Sequence, residues 1–137
     1  MQFIMKNIWL ILLAAVSGGM LLWPMLRRGA IGVRDVTPAE AVIMINRERA
    51  IVLDVRENTE FASGHITDAR NIPLAQLESR LNELEKFRDK PIIVNCQGGV
   101  RSASACVVLK KQGFANVVNL KQGIAAWIDA KLPVMRG

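Results

Sequence analysis

The residue in this sequence with the most chemistry to offer is Cys96, because of what surrounds it. It follows the apolar run Ile92-Ile93-Val94 and Asn95, and it opens the string Cys96-Gln97-Gly98-Gly99-Val100-Arg101-Ser102. Adjacent glycines let a loop curl tightly around a bound group, since neither carries a Cβ. The amides of such a loop, with the first turn of a following helix, can point inward together and stabilise an anion. A thiol held there shifts toward the thiolate, which is the nucleophile, and a persulfide gains in the same way. Arg101 adds a fixed positive charge at the loop's exit, able to hold an oxyanion or pair with a carboxylate. Ser102 can cap the next helix or donate to the loop. The plainer alternative is a buried cysteine beside a turn.

Elements on either side must position this loop. Thr37-Pro38-Ala39-Glu40 predicts a helix start with Thr37 as cap and Glu40 completing a capping box. Ala41, Val42, Met44 and Ile45 supply its apolar face, up to about Asn46. The β-branched runs at 51–55, 91–95 and 117–120 read as strands, with a brief edge at Asn71-Ile72-Pro73. Helical segments are expected at 59–63, ended by Gly64, and at 78–87, where Leu81, Leu84 and Phe87 recur at helical spacing. Others are expected at 102–112, stopped by Gly113, and at 123–130, carrying Trp127. Strands apolar on both faces that alternate with helices predict a parallel sheet covered on each side. Ligands bind at the carboxyl ends of such strands, where Cys96 falls.

The remaining candidates read as structural. Asp54 and Arg56, just after a strand, are expected to form an ion pair that organises the loops, and Glu60 to partner a neighbouring base. His65, the only histidine, is not needed as a base, because a nucleophile held as its anion needs none. Cys106 lies mid-helix among Ala103, Ala105 and Val107 and reads as core, as does Trp127.

Composition limits the function classes. The chain of 137 residues suits about one domain. Twenty residues between Lys6 and Arg27 carry no charge. At about 1.5 Å per residue they would span a bilayer's hydrocarbon core of roughly 30 Å. Trp9 and Trp23 stand near the two ends, as interfacial aromatics do. Residues 1–28 are therefore expected to form a single-pass transmembrane anchor and 29–33 a linker. A cleaved signal peptide ending near Ala15-Val16-Ser17 is the rival. The bases Arg27, Arg28 and Arg34 after the span place the folded part, 34–137, in the cytoplasm. From Gly29 onward fifteen bases face twelve acids, a net +3. No basic stripe interleaved with aromatics occurs, so nucleic acid is not an expected partner. The two cysteines are expected to remain separate thiols, since about 109 residues can build a core without a staple.

Several motifs in one order carry a resemblance. Leu53-Asp54-Val55-Arg56-Glu57, Glu60-Phe61-Ala62-Ser63-Gly64-His65-Ile66 and Ala69-Arg70-Asn71-Ile72-Pro73-Leu74 resemble the upstream signature of the rhodanese family. Ile93-Val94-Asn95-Cys96 through Arg101-Ser102 is similar to its active-site loop, and Leu109, Gly113-Phe114, Val117-Val118 and Leu120 through Trp127 to its C-terminal pattern. The likeness covers about residues 34 to 136. It implies an α/β fold with a five-stranded parallel sheet and helices on both faces. It also implies a sulfurtransferase in which Cys96 takes a sulfane sulfur as a persulfide and passes it to a thiol or other nucleophile. Gln97, Gly98, Gly99, Val100, Arg101 and Ser102 would bind the substrate, with Asp54 and Arg56 in support, and no metal or organic cofactor is implied.

Two details qualify the resemblance. Four residues separate Cys96 from Arg101, whereas cysteine phosphatases of this fold use five, so phosphatase or arsenate reductase chemistry is a weak third reading. Residues 97–100 carry no charge, unlike many relatives that bind thiosulfate, which favours a persulfidated protein as donor. The second reading is a non-catalytic docking module of the same fold, tethered to the membrane with a membrane protein as its partner.

Overall fold

The computed structural model describes residues 2–31 and 33–137, the side chains of 23–31 excepted. The chain divides into two compact units, Met1–Gly32 and Val33–Gly137. The first holds helices α1 (Gln2–Lys6) and α2 (Ile8–Ile31). Among the described residues no helix is long and apolar enough to cross a membrane. The anchor expected over 1–28 falls partly on Met1 and on side chains 23–28, outside the described residues. Helix α2 continues to Ile31, into the segment expected as a linker, and Gly32 of that segment also lies outside them.

The second unit is built on five parallel strands: β1 (Arg34–Val36), β2 (Ile51–Asp54), β4 (Arg70–Asn71), β5 (Ile92–Asn95) and β6 (Val117–Leu120). Their spatial order is β1-β6-β5-β2-β4. Helices α3 (Pro38–Glu48), α4 (Asn58–Ser63) and α5 (Val100–Lys111) lie between them in sequence, and α6 (Gly123–Asp129) follows β6. A small antiparallel pair joins β3 (His65–Ile66) to β7 (Val134–Met135).

The strands divide their side chains between two cores, as a period of two requires. Leu53, Ile92, Val94 and Val117 pack with Ala105, Cys106 and Leu109 of α5 and with Leu77, Leu84 and Phe87. Val52, Ile93 and Val118 pack on the other side with Ala41 of α3 and with Ile124 and Trp127 of α6. Helices therefore cover both faces, and Leu53, Ile92 and Val94 are wholly buried. Each such side chain contributes about 1.5–3 kcal/mol.

Three expectations need correction. Residues 78–87 form a 3-10 helix with non-helical angles at Arg80, preceded by a 3-10 turn at Leu74–Gln76. The apolar positions 81, 84 and 87 recur every three residues, which is the 3-10 period and not 3.6. Arg80–Glu83 and Arg88–Glu85 ion pairs have the same i,i+3 spacing. At the start of α3, Thr37 accepts from the Glu40 amide at 3.2 Å, but the Glu40 carboxylate accepts from the Thr37 hydroxyl and closes no box. The reciprocal contact forms at α4 instead, where the Glu57 amide donates to Glu60 at 3.1 Å. Finally, α5 begins at Val100, two residues early, which puts Val100, Arg101 and Ser102 in its first turn.

Candidate active site

Strand β5 delivers Cys96 to the carboxyl edge of the sheet, beside the ends of β2 and β6. Asn95 is held there by a 3.5 Å contact from its amide to Asp54, and Val55 donates to the Asn95 carbonyl at 3.0 Å. The chain then turns within three residues into α5. Gly99 makes the turn at φ +98°, and a Cβ there would lie 3.2 Å from the Gln122 amide. Gly98 has open space around it, so only the second glycine is required by geometry.

The loop's floor is clamped from α6. The Ile124 amide donates to the Cys96 carbonyl at 2.8 Å and the Ala125 amide to that of Gln97 at 3.4 Å. Gly123, at φ +62°, permits this approach, because a Cβ would strike the Cys96 and Gln97 carbonyls. With its carbonyls turned outward toward α6, the loop turns amides toward the sulfur. Gly99 donates to Cys96 Sγ at 3.0 Å and Ser102, in the first turn of α5, at 3.4 Å. First-turn amides have no intrahelical partner, so the sulfur meets donors that would otherwise be orphaned.

Cys96 is 1 % exposed, and the Ser102 hydroxyl lies 3.3 Å from its sulfur. Burial pushes the thiol up, but the Ser102 hydroxyl and the amides of Ser102, Gly99 and Gly98 outweigh it and hold the thiol below its ordinary value. Cys106 is the opposite case: burial among α5 neighbours pushes it up to about 12. Of the two free thiols, only Cys96 is set up as a nucleophile.

Arg101 does not reach into the loop. Its guanidinium grips Glu60 through two bonds of 2.7 and 3.0 Å, tying α5 to α4. That pairing, offset in part by burial, lowers the Glu60 carboxyl to about 2. The tether is therefore complete above the ordinary glutamate range near 4.5 and is lost as pH falls through about 2. Comparing Glu60→Gln with the unaltered chain in urea should give a stability difference that is constant above about pH 5 and vanishes toward pH 2. A difference unchanged at pH 2 would mean the carboxylate contributes nothing through its charge.

The other site residues stand where their chemistry permits. Gln97, Gly98 and Val100 are exposed, Val100 at 80 %. Arg56 is buried and grips Asp54 through its Nε and Nη2, at 2.8 Å for the latter, while also donating to the Gly64 carbonyl. His65 stacks on Phe61 at 3.7 Å and shares a 2.9 Å hydrogen bond with the Phe61 carbonyl. Gly123 and Asn119 were not singled out in the sequence. A glycine directly before an apolar helix was the available signal for the first. For Asn119, buried in β6, there was none, because its partners lie far away in sequence.

Comparison with known proteins agrees with this geometry. The profile of the rhodanese-like domain matches residues 37–130. The uncharacterized protein YibN of Escherichia coli K12 is 39 % identical over 106 residues, 77 % of this chain and 74 % of that one. The thiosulfate sulfurtransferase GlpE of Haemophilus influenzae is 36 % identical over 101 residues, 74 % of this chain and 93 % of that one. A crystal structure of a rhodanese-related protein from Thermoplasma volcanium superposes with a TM-score of 0.63 at 35 % identity, covering 74 % of this chain and 97 % of that one. The chain belongs to the rhodanese-like domain family.

Proposed function

We propose that the protein is a sulfurtransferase that carries sulfane sulfur on Cys96. The observation that carries this reading is the convergence of two amides and a hydroxyl on a buried sulfur whose thiol is lowered. In the first half-reaction the Cys96 thiolate attacks the outer sulfur of a donor persulfide. The new S–S bond forms as the donor's own S–S bond breaks, and the donor leaves as its thiolate. In the second, an acceptor thiolate takes the outer sulfur and Cys96 is released as thiolate. The added sulfur would sit about 2 Å beyond Sγ, where the amides of Gln97 to Arg101 would cradle it. Relatives named as sulfurtransferases support the assignment.

The donor follows from charge. The guanidinium of Arg101 is already matched by Glu60, and residues 97–100 are uncharged. Dianionic thiosulfate thus meets no unmatched cation within the loop itself, whereas a persulfidated protein or thiol needs none. The exposed Val100 at the loop's rim suits an apolar contact with such a donor. Asp54 and Arg56 hold the strand end that presents the loop. Rates of sulfur transfer to a thiol acceptor test this directly. The persulfide donor should outpace thiosulfate by at least about tenfold, and Cys96→Ser should transfer from neither. Equal rates from both donors would overturn the donor assignment, and transfer by Cys96→Ser would overturn the site.

The tether to a membrane is part of the same proposal. It is supported by the uncharged stretch between Lys6 and Arg27 and by described α2 side chains that no contact buries, such as Trp9, Leu10, Leu13 and Leu21. The flanking bases put residues 34–137 on the cytoplasmic side. The full chain should stay in the membrane pellet through alkaline carbonate, with an N-terminus that begins at residue 1 or 2. Release into the supernatant, or a start near Ser17, would refute the anchor.

A further inference from the structure

Behind Ser102 a chain of hydrogen bonds, buried at Ser102 and Asn119 and ending on the exposed Asp35, fixes the direction of its hydroxyl. Asn119 is 5 % exposed on β6, and the sheet register sets it beside Asp35 of β1. Its amide nitrogen donates to the Asp35 carboxylate at 3.0 Å and to the Gly99 carbonyl at 3.2 Å. Both of those partners can only accept, so the orientation of the Asn119 amide is determined and its Oδ1 must face Ser102. The Ser102 hydroxyl donates to that oxygen. A hydroxyl has one hydrogen. With it committed to Asn119 while Cys96 is a thiol, Ser102 turns a lone pair toward Sγ, and the donation to the thiolate that lowers the thiol is made only by giving up the Asn119 bond.

We propose that Asn119 is a positioning residue that sets the thiol–thiolate balance of Cys96 by claiming the hydrogen of Ser102. The inference rests on Cys96 being the sulfur carrier only for its consequence, not for its geometry. In the thiol and in the persulfide, the inner sulfur carries no charge and Asn119 keeps its bond. Only the thiolate draws the Ser102 hydrogen to sulfur, which strands the Asn119 oxygen in a buried site. Asn119 thereby disfavours the bare thiolate against the two forms whose inner sulfur is uncharged and favours the loaded state. The amides of Gly99 and Ser102 act in the opposite sense, and the two sets together fix the balance. Among the described residues, the charged groups around this network are Arg101 of α5 with its partner Glu60 of α4, Asp54 at the end of β2 with Arg56 just after it, Asp35 of β1, and Lys110 of α5, whose charge acts on Cys106, as that of Asp35 does. Cys106 and, at the far end of the helix, Lys111 are the further titratable groups on α5, and β6 carries none.

The test is the pH dependence of Cys96 alkylation by iodoacetamide in the full chain, read by intact mass. It requires no sulfur transfer, so it stands or falls apart from the proposed function. Asn119→Leu removes the competing acceptor and frees the Ser102 hydroxyl for the thiolate. The midpoint should fall by about one pH unit, a tenfold gain in thiolate at low pH. In a Ser102→Ala background the same substitution should leave the midpoint where Ser102→Ala alone puts it. Should Asn119→Leu not fold by circular dichroism, Asn119→Ala deletes the same acceptor and replaces it. A purely structural role would loosen the loop, and then the midpoint would rise or the effect would be equal in both backgrounds. Either result, or no change, overturns the proposal.

Discussion

Gly123→Ala should cut sulfur transfer at least about a hundredfold while leaving Cys96 and every residue of its loop unchanged. The added Cβ would overlap the Cys96 carbonyl oxygen and lie 2.7 Å from that of Gln97, and these are backbone atoms that cannot rotate away. Either α6 backs off, which loses the Ile124 and Ala125 bonds to the loop, or the loop itself shifts. A displacement of about 1 Å at a reacting atom commonly costs on the order of a hundredfold in rate. The φ of +62° adds strain for any residue with a Cβ. Stability should also fall, by about 1–3 kcal/mol in urea unfolding. Gly98→Ala, where the added atom meets open space, is the matched control and should retain most activity. Similar losses in the two variants would contradict the clamp.

Arg56→Ala should be the most destabilising change near the site, by about 3–5 kcal/mol. It leaves the Asp54 carboxylate, which has no solvent exposure, without its guanidinium, and it strips the Gly64 carbonyl of a donor. An exposed pair such as Arg80–Glu83 should cost under about 1 kcal/mol in the same assay. Removing Asp54 as well should restore part of the loss, since most of the penalty comes from the stranded charge. Denaturant unfolding of the two single variants and the double variant measures this. A double variant less stable than Arg56→Ala would show that the carboxylate works mainly through its other bonds, to the Arg56 amide and Asn95.

These two effects also mark how far the sequence could be read. The apolar strands at 51–55, 91–95 and 117–120 were legible because each face of a covered parallel sheet must be apolar. Cys96 was legible as a candidate nucleophile because glycines after a cysteine at a strand end point to an anion-holding loop. Glu60 was legible as a partner for a base, and that base is Arg101. The β3–β7 pair was not, since strands of two residues leave no period to detect. The stretch at 78–87 was legible only as helical, because three apolar positions in ten residues fit the 3-10 and the α period alike. Gly123 and Asn119 escaped for a different reason. Each acts on a segment 17 residues or more away, through contacts that exist only once β5 and β6 lie side by side.

The central claim is that sulfur is carried covalently on Cys96. Intact mass of the purified full chain in detergent, after exposure to a persulfidated thiol and removal of the donor, tests it most directly. The account predicts a gain of one sulfur atom that a reductant removes and that Cys96→Ser never shows. A gain that survives in Cys96→Ser, or no gain in the unaltered chain, would contradict it, and the latter would leave the fold serving as a docking surface.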